Sequence, residues 1–287
     1  MQSWNNGGTD HILPLERSRA SFDVEKMTYI LDGGEKETRQ RRWIQNSHDD
    51  VEEEKTKNLV RDDSDRSRSD LVADAMKHFM DIHWKHLKRG YKTSGNDMTH
   101  MSAAKFGITG PLSLHYGVFM STLRSQTSQE QRDWWLDAGY KLNFIGCYAQ
   151  TELGWGSNVR ALKTTATFVP GAGIDGDGEW EIHTPTLRSI KWWSTGLFSA
   201  THAALYAQLI LNGESKGVHV FFVQLRGPDL TPLKGIEMGD IGRKIGDNDT
   251  PIGYLRLNKG TFRECQSYHS LTHIHNPNIQ FAFLDGI

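Results

Sequence analysis

Apolar positions recur at helical spacing in the first half of the chain and fall into short, strand-like runs in the second, with the change near Gly146. Phe22, Val24, Met27, Ile30 and Leu31 mark a first helical face; Gly33-Gly34 interrupts it, and Glu35 to Ile44 resumes it with charges of both signs. A broad stripe from Leu71 through Phe79 to Leu87 predicts a long helix, closed by the basic and flexible Lys88-Arg89-Gly90. Pro111 to Gln126 predicts another. Thr127 and Glu130 have the spacing of a capping box opening the next, whose apolar face holds Trp134, Trp135, Leu136, Ala138 and Leu142. The first half reads as helical.

Beyond Gly146 the β-prone runs are Thr164–Phe168, Glu179–His183, Arg188–Trp193, Ala203–Leu211, Val218–Leu225 and Gly253–Leu257. Turn signals separate them: Pro170-Gly-Ala-Gly173, Asp175-Gly-Asp-Gly178, Asn212-Gly213 and Lys216-Gly217. Strands so spaced, with no helices between, predict an antiparallel sheet that closes or packs on itself. Two stretches lack any such pattern. Residues 1–16 are polar and turn-rich and read as a loose arm. Charge dominates from Ser47 to Asp70, which reads as a mobile or solvated segment.

Composition narrows the classes. Lys plus Arg number 33 against 35 Asp plus Glu in 287 residues, a formal charge of -2, so no basic field for nucleic acid exists. No apolar span of membrane length and no signal-peptide pattern is present, and the chain reads as soluble and intracellular. Cys147 and Cys265 read as reduced thiols without zinc-ligand spacing. His269, His273 and His275 lack a fourth ligand, so no metal is expected. His100, His115, His202 and His219 are scattered and read as structural. No dinucleotide fingerprint, P-loop or Gly-x-Ser-x-Gly elbow occurs in context.

Two segments carry candidate chemistry. Cys147-Tyr-Ala-Gln-Thr-Glu-Leu-Gly-Trp-Gly-Ser-Asn158 sets a hydroxyl, a carboxylate and small residues directly after an apolar run; glycines there let a flat polar ligand approach the backbone. Lys191-Trp-Trp-Ser-Thr-Gly196 offers indoles beside hydroxyl and backbone donors, which suits a ring system with a heteroatom edge. On residue type alone, glycine clusters after strands are more often turns, and paired tryptophans more often core, than a ligand site. The order of Tyr148-Ala-Gln-Thr-Glu-Leu-Gly154, Gly156-Ser-Asn158, Thr164-Thr-Ala-Thr167, Ser189-Ile-Lys-Trp-Trp193 and Gly239-Asp-Ile-Gly242 resembles the acyl-CoA oxidases, flavoenzymes of fatty-acid β-oxidation. Ile30-Leu-Asp-Gly-Gly34 and Leu114-His-Tyr-Gly117 extend the likeness, which runs from about Arg19 to about Asn258.

The resemblance implies an α+β fold: an N-terminal helical domain over 17–145, then an antiparallel β-barrel domain that contacts flavin over 146–258. The family's C-terminal helical domains have no counterpart here, and residues 259–287 form an atypical tail. It implies FAD as cofactor, and fatty acyl-CoA and O2 as substrates, giving trans-2-enoyl-CoA and hydrogen peroxide. By position, Thr151, Gly196, Thr195 and Trp193 match flavin-contacting residues, and Ser157 matches a position near the acyl-CoA. The family's catalytic glutamate belongs to the C-terminal region, so no catalytic residue is expected in this chain, which is expected to be a truncated oxidase inactive or nearly so alone; Glu152 belongs to the flavin loop and Glu264 to the tail. The chain differs from the oxidases at Trp155, where they carry His, at Ser194-Thr195, where they carry Pro-Gly, and at Pro251-Ile252. Peroxisomal location and a homodimer of the full-length protein follow from the family. A truncated, non-enzymatic product, alone or paired with a complete subunit, is the alternative, and an acyl-CoA dehydrogenase a narrower one.

Overall fold

The computed structural model describes residues 12–52, 66–88, 111–171 and 179–261, and the chain divides into two units, within residues 1–61 and 62–287. The described residues of the first unit form three helices, α1 (Ile12–Ser18), α2 (Val24–Asp32) and α3 (Glu35–Glu52). Asp23 caps α2 by accepting from the Glu25 and Lys26 N–H groups, and Gly33, at φ 93°, ends it in the left-handed turn that the Gly-Gly pair predicts. Arg42 pairs with Glu25 and Arg41 with Asp32, so charge joins α2 to α3, while Val24, Ile30 and Leu31 of the expected apolar face stay exposed. α1 begins inside the stretch read as a loose arm, and α3 runs on to Glu52, into the charged stretch.

In the second unit α4 (Arg68–Lys88) buries Leu71, Ala75, Phe79 and His83, the stripe read from the sequence. A π-helical turn, His115–Phe119, runs directly into α5 (Met120–Gln126), and α6 (Gln129–Tyr140) follows. The capping box lies one residue later than expected. Ser128 and Gln131 form it, because the Thr127 hydroxyl donates to the Leu123 carbonyl and closes α5 instead. Phe119, Met120, Leu123, Trp135 and Phe144 pack as one cluster with Ala204 of the sheet below.

Among the described residues nine strands follow: β1 (Gly146–Ala149), β2 (Thr165–Val169), β3 (Glu179–His183), β4 (Lys191–Thr195), β5 (His202–Leu211), β6 (Glu214–Gln224), β7 (Ile236–Asp240), β8 (Ile252–Leu257) and β9 (Gly260–Thr261). β6 pairs along one edge of β5, joined by the Asn212-Gly213 turn, both residues at positive φ as a tight hairpin requires. The other edge of β5 is shared. β1 takes its first half, with Ala149 opposite Leu205, and β2 its second half, starting with Thr165 opposite Gln208. Both run parallel to β5, so the sheet is mixed rather than antiparallel as expected. The reason is topological: β1 and β2 are two collinear pieces of one path along that edge, and both inherit its direction.

β3 and β9 extend this sheet beyond β2, and β4, β8 and β7 form a second, antiparallel sheet. One core lies between them, drawing Cys147, Ala166, Ile182, Leu205 and Val223 from the first and Ile236, Leu255 and Leu257 from the second. Leu257 and Thr184 exchange hydrogen bonds where the sheets meet. Among the described residues neither sheet closes into the expected barrel. His269, His273, His275, Cys265 and most of the atypical tail lie outside the described residues.

His115 shows how the helical layer is fixed to the sheet. Its Nε2–H donates to the Gly139 carbonyl and its Nδ1 accepts the Gly146 N–H, both at 3.0 Å, so the neutral ring bridges α6 and β1. Burial pushes His115, His202 and His83 down to about 4. In the unfolded chain such rings take up protons near pH ~6.5. Between those values the unfolded form binds more protons, so stability is lost as pH falls through that window. The thermal unfolding midpoint is expected to drop steadily from pH ~6.5 to pH ~4, and a flat profile there would contradict the buried, neutral assignment.

Candidate functional site

The path along β5 is broken between β1 and β2, and in that break the chain makes an excursion, residues 150–164. The break leaves two residues of this edge of β5 uncovered, Tyr206 and Ala207, a gap from Leu205 to Gln208 of about 10 Å at strand rise. Glu152 and Trp155 close a tight hairpin, exchanging backbone hydrogen bonds of 3.0 and 2.9 Å. Its outer strand then lies against the approach to β4: Leu153 N–H donates to Ile190 O (2.9 Å), Gly154 N–H to Arg188 O (2.7 Å), and Trp192 N–H to Thr151 O (2.9 Å). The two segments singled out in the sequence are thus zipped together by backbone bonds. The Ser194 hydroxyl, donating to the Tyr148 carbonyl, extends the seam.

Beneath the seam sits a buried ion pair. The Lys191 ammonium and the Glu152 carboxylate are both fully enclosed and 3.0 Å apart. All three ammonium protons are used: on Glu152 Oε1, on the Gln150 carbonyl at 3.2 Å and on the Tyr206 carbonyl at 2.6 Å. That last acceptor belongs to the stretch of β5 that neither β1 nor β2 covers. Glu152 also accepts the Lys163 and Thr164 N–H groups, both at 2.9 Å, where the excursion returns. Burial pulls the lysine down to about 8, while the carboxylate holds it up.

β4 itself is irregular. Lys191 pairs with Leu255 and Ser194 with Gly253, so Trp192 and Trp193 together face the single residue Tyr254. Such a bulge re-aims a side chain. Trp193 takes φ 69° and is 55% exposed, and a bulky residue at positive φ stores roughly 1–3 kcal/mol of strain. Trp192 stacks on Tyr254, ring centres 6.2 Å apart at 22°. The Gly-Asp-Ile-Gly motif supports that stack from behind: a Cβ on Gly239 would stand 2.6 Å from the Tyr254 ring. Asp240 accepts the Arg68 guanidinium at the start of α4 and the Gly242 N–H.

Of the residues expected at a ligand, Thr151 is exposed, and among the described residues neither its hydroxyl nor its N–H has a hydrogen-bond partner. Thr195 pairs with Ile252 at the end of β4 and stays half-buried. Gly196 is buried at φ 81°; its N–H already donates to Pro251 O at 2.7 Å and its carbonyl accepts from Ser199 and Ala200. Ser157 lies exposed on the excursion, away from the seam bonds. The glycines divide. A Cβ on Gly154 would meet Arg188 atoms at 2.9 to 3.2 Å, so that glycine serves the seam, whereas Gly156 has open space around it. Trp155 carries the Arg188 guanidinium over its ring at 5.0 Å, an internal cation–π contact.

The role of Lys191 was not visible in the sequence, where the lysine reads only as the residue before two indoles. A carboxylate in one segment and a lone cation at the start of the other were the available signal. No group of His, Cys, Asp or Glu that could hold a metal occurs among the described residues, and no described helix is long and apolar enough to cross a membrane.

Substituting the two glycines separates their functions. Gly154→Ala is expected to cost about 1–3 kcal/mol through overpacking against Arg188, and Gly156→Ala to stay within about 0.5 kcal/mol of wild type, as read by urea unfolding. Equal effects would contradict the seam.

Residues 23–145 match the family model described as acyl-coenzyme A oxidase N-terminal. Peroxisomal acyl-coenzyme A oxidase 1 of Arabidopsis thaliana is 38% identical over 258 residues, 86% of this chain and 36% of the relative. The protein of the same name from Phascolarctos cinereus is 37% identical over 250 residues, 85% of this chain and 36% of the relative. Among solved structures, acyl-CoA oxidase-2 of Caenorhabditis elegans, bound with FAD, ascaroside-CoA and ATP, superposes with a TM-score of 0.75 at 35% identity, over 89% of this chain and 38% of that one. The chain therefore spans little more than a third of the length of the relatives it matches.

Proposed function

This chain belongs to the acyl-CoA oxidase family, and from that membership we propose that residues 146–196 supply a flavin-facing surface for oxidation of a fatty acyl-CoA to trans-2-enoyl-CoA, with O2 reduced to hydrogen peroxide. Bound FAD supplies the hydride acceptor. The observation that carries this reading is the Thr151–Trp192 backbone hydrogen bond, which seats the two motif segments side by side. Thr151 then offers an unpaired hydroxyl and N–H as donors to the heteroatom edge of the flavin ring. Trp193 offers an exposed aromatic face, and the Thr195 hydroxyl stands two residues further on. Gly196 acts through its turn, since its own N–H is held by Pro251. The exposed Ser157 hydroxyl is the acyl-CoA contact.

Glu152 does not take the substrate's α-proton in this reading. It is buried, and both of its oxygens are committed to Lys191 and to backbone N–H groups. The base comes from a residue outside the two motif segments. Relatives named peroxisomal support a peroxisomal location, and homodimerisation completes the proposal by analogy with the family.

The test is visible absorption of the purified chain after FAD addition and desalting. Retained flavin is expected, with Thr151→Ala weakening it by about 10-fold through loss of the hydroxyl donor. Trp193→Gly is expected to weaken FAD comparably while leaving the unfolding midpoint unchanged or higher, because it relieves the positive φ. A wild-type chain that retains no flavin would overturn the assignment.

A further inference from the structure

The Lys191–Glu152 pair is buried deeply enough that its energetic worth is doubtful on physical grounds. Withdrawing two charges from water costs several kcal/mol each, and replacing such a pair by neutral residues of similar volume is often neutral or stabilising. The lowered lysine basicity points the same way: desolvation outweighs what the carboxylate returns. Stability alone therefore does not account for the pair, but its geometry does. Four pieces of chain converge on it: Gln150 and Glu152 where the excursion leaves, Lys163 and Thr164 where it returns, Lys191 at the start of β4, and Tyr206 on the uncovered stretch of β5. No backbone ladder reaches across that stretch, because β1 ends opposite Leu205 and β2 begins opposite Gln208.

We propose that Glu152 and Lys191 are positioning residues: the pair bridges the break in the edge of β5 and sets the register between the Thr151 segment and the Trp192–Trp193 bulge. The inference rests on the flavin reading for what that register serves. An apolar pair of equal volume would fill the space but leave only the three seam backbone bonds to hold the two segments, which open more readily without the three directed donors of the ammonium and the acceptors of the carboxylate beneath them. The two segments would then present Thr151 and Trp193 at variable separation, and a flat ring contacting both would be held less tightly.

The test compares the wild-type chain with Lys191→Met/Glu152→Gln, which removes both charges at similar volume, and with Lys191→Met alone. Amide hydrogen exchange and thermal unfolding are followed in each. In the double variant the unfolding midpoint is expected to stay near wild type, while the Leu153, Gly154 and Trp192 amides exchange about 100-fold faster and those of β5 and β6 keep their protection. Protection that persists at the seam overturns the proposal, and so does protection lost equally throughout both sheets, which would make the pair a general core element. Should the double variant fail to fold, the pair is likewise a core element and the proposal falls. FAD titration of the same proteins separates the two readings. Wild type that binds FAD and a folded double variant that binds it about 10-fold more weakly support both. Wild type that binds none sinks the flavin reading, while the exchange pattern still decides positioning.

Discussion

A β-strand has two edges, and β5 uses both to their limit. One is filled end to end by β6; the other is divided between two short strands of the same direction. Most of what distinguishes this fold follows from that division. It makes the sheet mixed, and it obliges the chain to leave and re-enter the same edge within a few residues of β5. The polar stretch between has to be satisfied by something other than a ladder. A buried polar group without a partner costs about 1–3 kcal/mol, so the Tyr206 carbonyl cannot be left to itself, and the Lys191 ammonium answers it.

The layers around β5 are arranged to keep this edge rigid. His115 fixes the helical layer to β1 through a ring that donates at one nitrogen and accepts at the other. On the far side, the second sheet supports the bulged β4 through the Trp192–Tyr254 stack, and Gly239 leaves the space that stack occupies. Arg68 joins the start of α4 to Asp240 and to the Asn248 and Thr250 carbonyls. None of these contacts is made by Thr151 or Trp193 themselves, and the Trp192–Tyr254 stack holds the direct chain neighbour of Trp193.

Much of this was legible in the sequence because it is local. Helical spacing located α4, and β-prone runs between turn signals located β2, β3, β5 and β8 to within a residue or so, whereas the Lys216-Gly217 turn signal falls inside β6, which starts at Glu214. Non-local features were not. β1 reads as an apolar run because its strand character comes from lying beside Ala203 and Leu205, far along the chain. β7 runs into a motif whose first glycine serves a tyrosine on the neighbouring strand. The parallel pairings are invisible to turn signals, which report only hairpins. In the site, Thr151 and Trp193 could be named from residue type and order, but that Gly154 spaces a seam, that Gly196 already has its N–H occupied, and that Lys191 and Glu152 meet all depend on which segments lie adjacent.

The bulge at Trp193 bears on how this surface persists over generations of mutation. An indole that is half in water contributes little to the core, and a left-handed backbone favours glycine or asparagine over any bulky side chain. Drift constrained only by the need to fold would replace this residue early, since the exchange relieves strain and uncovers nothing. A lineage that keeps tryptophan there is therefore selecting for what the ring touches, and the position registers whether the surface is still in use.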